Sequence, residues 1–556
     1  MHSIKQLLRS TINTLYPAVN YTPSLSPSKN LKWGDYTCSD AGAIAKQLKL
    51  KPNEVASAIV KALSSSDFTF TATGSYINVS FTKKYLQELT LNFPNQNYKS
   101  LDEYIIVDYS SPNILKNLHI GHLRSTIIGE SICRILRFCG AQVEGVNHLG
   151  DSGANFGASF AHIKETGKMA NNLEELQALY KEAKALLPEK NCKDETKLAF
   201  HVKAQQEALL LQNGDKESKE IWTKWRNISL DACNVIYQRL DVNIPIVGES
   251  FYIPLIPGML KELENKALLS LDNGAKCIFV PDHPKQPLLL EKSSSGYGYD
   301  STDMAAIRYR FIEKRADKVL YVVDQGQSSH FQVLFKAAEM ACYCKTGQAH
   351  HIAFGVVLGP DGKRFKTRSG SSVGLLDLLD EARQRAKKIY LEKNPNTLMS
   401  DTEVDLLAEK IGIASLKYAD LHNNRLKDYT FSFDRMLDYK GHTGVYLLYA
   451  RARLCSILAK SSVQPEPVIL QHPTEFLLVR LLAKFSEVLH ASAETYQPHL
   501  LCDYLYELAN VTSDFHRDCR VLGDPCEGQR LTLIKIVADN MKLVMNLLGI
   551  DAPNKI

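Results

Sequence analysis

The chain has 556 residues, a formal net charge of +5, 45% hydrophobic residues and 23% charged ones. That length leaves room for three or four domains with large cores, and the balance is that of a folded globular protein. Twelve scattered cysteines include one close pair, Cys342 and Cys344, with no second pair at zinc spacing. They are expected to be reduced thiols, and no apolar run is long enough to span a membrane. The mild positive charge permits a polyanionic partner without demanding one.

Residues 1–100 spell a small α/β module. IKQLLRSTINTL has the period of an amphipathic helix. The first 34 residues lack Asp and Glu, as a mitochondrial presequence does, but they carry only four basic residues and no arginine-rich face. A first helix of the folded module is the expectation. Pro17, Pro23 and Pro27 mark a loop, DAGAIAKQLKL and PNEVASAIVKAL two further helices, and FTFTATGSYINVSF alternates as two strands about Gly74.

The organising stretch is IIVDYSSPNILKNLHIGHLR, residues 105–124. A short apolar strand ends in a polar, Pro-containing loop, which delivers His119-Ile120-Gly121-His122 to the start of a helix running to about Cys139. The unpaired N–H groups of a helix N-terminus attract anions. Two imidazoles there can donate to phosphate oxygens. Gly121 has no Cβ, so a flat base can lie on the backbone. QVEGVNHL is the next strand, followed by the Gly-rich GDSGANFG. Residues 160–245 are charged and helical in pattern, an insertion without nameable chemistry. Residues 250–290 are Pro-rich and strand-like, a second insertion. KVLYVVD and HHIAFGVVL are apolar runs of buried-strand type. Strands alternating with helices predict a doubly wound parallel sheet with its ligand at the strands' carboxyl ends. Beyond about residue 401 long amphipathic helices take over, among them YKGHTGVYLLYARARLCSIL, and a helical bundle is expected.

SSPNILKNLHIGHLRST resembles the first signature of class I aminoacyl-tRNA synthetases, and of arginyl-tRNA synthetases in particular. GDYTCSDAGAIAKQLKL, NHLGDSGANFG, FGVVLGPDGKRFKTRSG, YLLYARARL and LLGIDAPNK resemble further stretches of that family, so the resemblance covers essentially the whole chain. It implies a class I Rossmann-type parallel sheet over 103–400, with insertions near 160–245 and 250–290. A tRNA-contacting α/β module would occupy 1–100 and an all-α anticodon-binding bundle 401–556. The implied reaction is activation of L-arginine with Mg-ATP and transfer to the terminal adenosine of tRNA(Arg), by attack of its 2′-hydroxyl.

The resemblance also implies roles. His119 and His122 would neutralise phosphate charge, with Gly121 beside the base. GPDGKRFKTRSG would be the second cationic loop, placing Lys363 and Lys366 on ATP; it departs from the usual K-M-S-K-S. The family's remedy is a lysine before the first motif, and Lys116 stands there. A guanidinium needs planar, fork-like acceptors and tolerates an aromatic face. Glu249, Tyr299, Asp303 and Gln327 would line it; Asp108, Ser111, Pro112, Asn113 and His122 would hold the rest of arginine. Tyr76, Asn78, Tyr446, Tyr449, Arg451 and Arg453 would meet tRNA, an aromatic face and an amide being able to stack on and read an unpaired base. The chain ends Asn554-Lys555-Ile556 where the family typically ends on methionine. No resident metal and no membrane partner are expected, and a cytoplasmic monomer is. Two other readings stay open here: a small nucleotidyltransferase sharing the H-x-G-H site, and a synthetase-like tRNA-binding protein without activity.

Overall fold

The computed structural model describes residues 2–556 except 20, 29, 94–95, 190–191, 282, 284–285, 294–295 and 366–373. The first helix, His2–Leu15, buries Ile4, Leu8 and Ile12 completely, so it is an integral part of the N-terminal module. That module's four-stranded sheet has the order β1-β2-β4-β3, all antiparallel, with β1 Ser26–Pro27, β2 Tyr36–Cys38, β3 Phe68–Thr73 and β4 Tyr76–Phe81. It is tied to the C-terminal bundle by polar contacts. The Tyr36 hydroxyl donates to Glu487 at 2.7 Å, and Arg480 pairs with the buried Asp35 at 2.8 Å.

The central sheet is parallel, in the order β11-β10-β5-β6, with β5 Tyr104–Asp108, β6 Gln142–Val146, β10 Lys318–Tyr321 and β11 Ala349–His351. From β5 the chain crosses to β6 on one side, through the Ile120–Phe138 helix; β10 lies on the other side of β5. The carboxyl ends of β5 and β10 therefore flank the point where strand order reverses, the crevice in which open α/β sheets bind ligands.

Two readings of the sequence need correction. HHIAFGVVL is not one strand. It splits into β11 and β12 (Val357–Leu358), and β12 pairs with β13 (Tyr429–Thr430). The cause is at Gly355, whose N–H donates to the Arg425 carbonyl at 2.8 Å and where a side chain would strike Lys427 and Asp428. Residues 250–290 are not all strand-like either. Ile256–Asn265 is a helix, with proline in its first turn, where no N–H is required, and Ile256, Met259, Leu260 and Leu263 buried at helical spacing. Only after it come β7 (Ser270–Asp272), β8 (Ala275–Ile278) and β9 (Leu288–Glu291), an antiparallel sheet.

The insertion consists of the helices Ala154–Thr166, Leu173–Ala185, Glu195–Gln212 and Lys216–Arg239 around Phe156, Phe160 and Trp225. The bundle packs on the central sheet's domain through Arg124, two residues past His122. Its fully buried guanidinium pairs with Asp420 at 3.1 Å, donates to the Gly355 carbonyl at 2.7 Å and lies over the Phe354 and Tyr429 rings.

Candidate active site

The loop after β5 is held in an uncommon backbone conformation. Ser110 and Ser111 have φ of +70° and +43°, a region where side chains are strained by about 1–3 kcal/mol each. Their neighbours hold them there. Ser110 N–H donates to Ser125 Oγ and Ser111 N–H to Asn147 Oδ1, while Ser111 Oγ donates to Asp108 Oδ1 at 2.8 Å. Gly150 donates to the Pro112 carbonyl, and a Cβ on it would strike the Asn113 side chain at 2.2 Å. Asn113 is thereby pinned at the crevice with its side chain exposed.

At the helix start both histidines are caps. His119 Nδ1 accepts from the Gly121 N–H at 3.1 Å, and His122 Nδ1 accepts from the His119 N–H at 3.0 Å. A Cβ on Gly121 would meet the His119 ring at 2.9 Å, so this glycine also admits the imidazole that folds over it. Because each Nδ1 is an acceptor, each Nε2 carries the proton and is a donor. Burial lowers the His119 pKa, with Lys116 and Arg364 adding to the effect. Burial together with His119 and Lys116 brings His122 down to about 3. Both rings are neutral donors at physiological pH, 4.0 Å apart between centroids.

The second cationic loop reaches the same place. Leu358 bridges Arg364, the Gly359 N–H donates to the Lys363 carbonyl at 2.7 Å, and Arg364 is close enough to depress His119. After the undescribed residues the chain returns to the site, where Gly374 bridges His119 and Leu375 N–H donates to the Leu118 carbonyl. Lys366 lies outside the described residues, as does Arg368. Lys363 is exposed. Lys116 is exposed too, its ammonium 5.6 Å from the centre of the Tyr180 ring in the insertion.

The acidic side of the crevice gathers residues from four separated stretches. Asp303, in the helix Tyr299–Arg308, has Oδ2 2.7 Å from His330 Nε2 and Oδ1 3.5 Å from His148 Nε2. Burial raises its pKa, but His330 and then His148 outweigh burial and leave it ionised. Glu249 accepts from Ser152 Oγ at 2.6 Å; burial, with the nearby charges of Asp303 and Asp151, pushes it up to about 7. Tyr299 is exposed, edge-on to His330 at 5.2 Å, and Gln327 is exposed at the N-terminus of the helix Ser328–Met340.

Four residues are corrected. Asp108 does not offer free acceptors: Oδ2 takes the buried Arg310 at 2.7 Å and Oδ1 takes Ser111, so it braces the loop. The Pro112 ring is buried and only its carbonyl acts, on Gly150. Asn78 is buried within its sheet, donating to Thr73 and accepting from Thr37, and cannot read a base. Arg451 is buried and donates to the carbonyls of Ala538, Ala552 and Pro553 and to Asn554 Oδ1, so it clamps the end of the chain. Tyr76 and Arg453 are exposed. Tyr446 and Tyr449 are half-buried, the first donating to Asn510 at 2.9 Å and the second edge-on to Tyr439. Sequence reasoning missed His148, Arg310 and His330, whose partners are distant in sequence. Signals existed for two of them: His148 lies within NHLGDSGANFG, and His330 lies three residues after Gln327 on one helical face.

Among the described residues no group of three or more His, Cys, Asp or Glu is placed to hold a metal ion, and no helix is long and apolar enough to cross a membrane.

Comparison with known proteins agrees along the whole chain. Residues 87–433 match the family model for the catalytic domain of class I tRNA synthetases (R), residues 447–556 the DALR anticodon-binding domain and residues 2–81 the arginyl-tRNA synthetase N-terminal domain. The chain is 39% identical to an arginine–tRNA ligase of Protochlamydia amoebophila, over 96% of this chain and 95% of that one. It is 37% identical to a cytoplasmic arginine–tRNA ligase of Rattus norvegicus, over 98% and 87%. The arginyl-tRNA synthetase structure from Plasmodium falciparum superposes with a TM-score of 0.87 at 31% identity, over 100% of this chain and 99% of that chain.

Proposed function

From the premise that the chain belongs to the arginyl-tRNA synthetases, we infer how its own residues divide the work of an arginine–tRNA ligase. The reaction joins L-arginine to the α-phosphate of ATP with loss of pyrophosphate, then passes the arginyl group to the 3′-terminal adenosine of tRNA(Arg). Little covalent chemistry falls to the protein; it must align the reactants and stabilise phosphate charge. The neutral Nε2–H groups of His119 and His122 donate to the phosphates, Lys116, Lys363 and Lys366 supply positive charge, and Mg²⁺ arrives with ATP as part of the substrate. Asn113 and Ser111 hold the α-amino end. Glu249, Asp303, Tyr299 and Gln327 receive the guanidinium.

The observation that carries this reading is the packing of the short helix that begins at Glu249 against the helix that carries Asp303, which brings two acidic side chains from separate segments to one side of the crevice. Two acidic groups kept together in a crevice call for a cationic ligand. Residues 1–100 and 401–556 are assigned to tRNA, through Tyr76, Tyr446, Tyr449 and Arg453, on a cytoplasmic monomer. The test is aminoacylation of total tRNA by the purified chain with each of the twenty amino acids. Arginine alone should be esterified; charging with another amino acid, or with none, would overturn the assignment.

A further inference from the structure

On the acidic side of the crevice an imidazole already sits among the carboxylates. His330 lies between two carboxylates of the facing helix, with Nε2 2.7 Å from Asp303 Oδ2 and Nδ1 3.4 Å from Asp300 Oδ1. The Tyr299 ring meets it edge-on. The groups beyond are also fixed. His148 reaches the other Asp303 oxygen at 3.5 Å, and its Nδ1 faces Arg310 Nη2 at 3.4 Å, while Arg310 is itself committed to Asp108. Glu249 bears on Asp303 through space. Phe331, next to His330, stacks on His351, whose pKa burial lowers so that it brings no charge.

A guanidinium grips a carboxylate with two parallel N–H groups and needs both oxygens. On Asp303 one of those oxygens is taken by His330. The imidazole also has a second use: with its remaining proton on Nδ1, the nitrogen that faces Asp300 at 3.4 Å, a neutral ring would present the Nε2 lone pair as a further acceptor for a guanidinium N–H. We propose that His330 is the resident counter-cation of the arginine pocket, a positioning residue that occupies Asp303 until the substrate guanidinium arrives, then gives its Nε2 proton to bulk water and turns acceptor. The proton balance is one N–H lost from His330 to solvent for each guanidinium bound; no covalent bond changes. This rests on the assignment of Asp303 to the guanidinium.

The electrostatics agree with the geometry. Burial disfavours the His330 charge, but Asp300 and Asp303 overcome it and bring the ring up to about 9. A second unit charge roughly 5 Å away, at an effective dielectric constant of about 20, lowers such a pKa by about two units. Arginine binding should therefore release about 0.8 proton at pH 8, and affinity should rise with pH between about 7 and 9. Glu249, with its pKa of about 7, is already ionised at pH 8 and adds little there.

The test is calorimetric titration of L-arginine into the full chain at pH 8 in two buffers of different ionisation enthalpy. The same titration is made with His330→Gln, which keeps a donor for Asp303 but cannot titrate. Wild type should release most of one proton. The variant should release almost none, with an affinity that changes little from pH 7.5 to 8.5, where Glu249 is already mostly ionised. Arginine binding by wild type without proton release would overturn the proposal by itself, even if the variant fails to fold, and so would equal release in both proteins. A wild-type chain that binds no arginine would instead overturn the arginine assignment on which the proposal stands.

Discussion

The two halves of the active site solve opposite problems. On the side proposed for the phosphates the ligand brings negative charge, and beside the lysines proposed to meet it the protein sets two neutral imidazoles. His119 and His122 are locked as Nε2–H tautomers by backbone N–H groups of their own helix and are held uncharged by burial. On the amino-acid side the ligand brings positive charge, and nearly every carboxyl there already has a partner within the protein. Asp303 has His330, Asp108 has Arg310, and Glu249 stays near neutrality beside Ser152. The phosphate side needs no proton movement to bind, whereas the amino-acid side does. One half is preorganised by capping geometry, the other by ion pairs that the substrate must share or replace.

The largest effect should come from cutting the anchor behind the phosphate side. Arg124→Met would leave Asp420 buried without its cation, and breaking such a pair costs about 3–5 kcal/mol. Denaturant titration should show that loss in the unfolding midpoint; an unchanged midpoint would mean that the pair does not tie the bundle to the sheet. His122→Ala should lower the rate of adenylate formation by roughly 10²–10³, the scale for one preorganised donor, with the arginine KM little changed. A rate near wild type would remove the histidine from the phosphate side.

The halves should also separate in pH. With His122 depressed to about 3 and His119 lowered from its ordinary value, both imidazoles stay neutral from about pH 7.5 upward, and the ATP KM should be flat there. Glu249 takes up a proton as pH falls through about 7 and ceases to be an anionic acceptor, so arginine kcat/KM should fall, approaching about tenfold per unit of pH below that point. Parallel pH profiles for the two substrates would contradict the contrast. The smallest effect concerns tRNA. Arg453→Ala should reduce the salt dependence of tRNA binding by about one unit of slope. Arg451→Ala should leave that slope alone and lower thermal stability instead, because its donors are spent on the chain's own carbonyls.

How much of this was legible in sequence follows from how local each signal is. The strand, loop and helix start around His119 lie within twenty residues, and their apolar run, proline loop and polar helix entry are written consecutively. The amphipathic bundle helices were legible for the same reason. Family resemblance supplied the set of acidic pocket residues, which no spacing rule would have gathered. What stayed hidden depends on contacts between distant segments. Nothing near Asp108 says that Arg310 will claim it, nothing near Asn78 says that Thr73 and Thr37 will, and an arginine in YARARL looks solvent-facing until the end of the chain folds over it. HHIAFGVVL misled because its apolar composition outweighs the turn that Gly355 makes against Lys427.

The most direct test of the charge division is a substrate-by-substrate comparison of wild type with Asp303→Asn, measuring kcat and KM for arginine and for ATP with tRNA saturating. Removing one partner of a buried ion pair leaves the substrate cation facing a neutral amide, at a cost of about 3–5 kcal/mol. Arginine kcat/KM should fall by that amount while the ATP parameters stay as they were. If arginine is barely affected while ATP worsens, Asp303 belongs to the phosphate side and the division of the site is wrong.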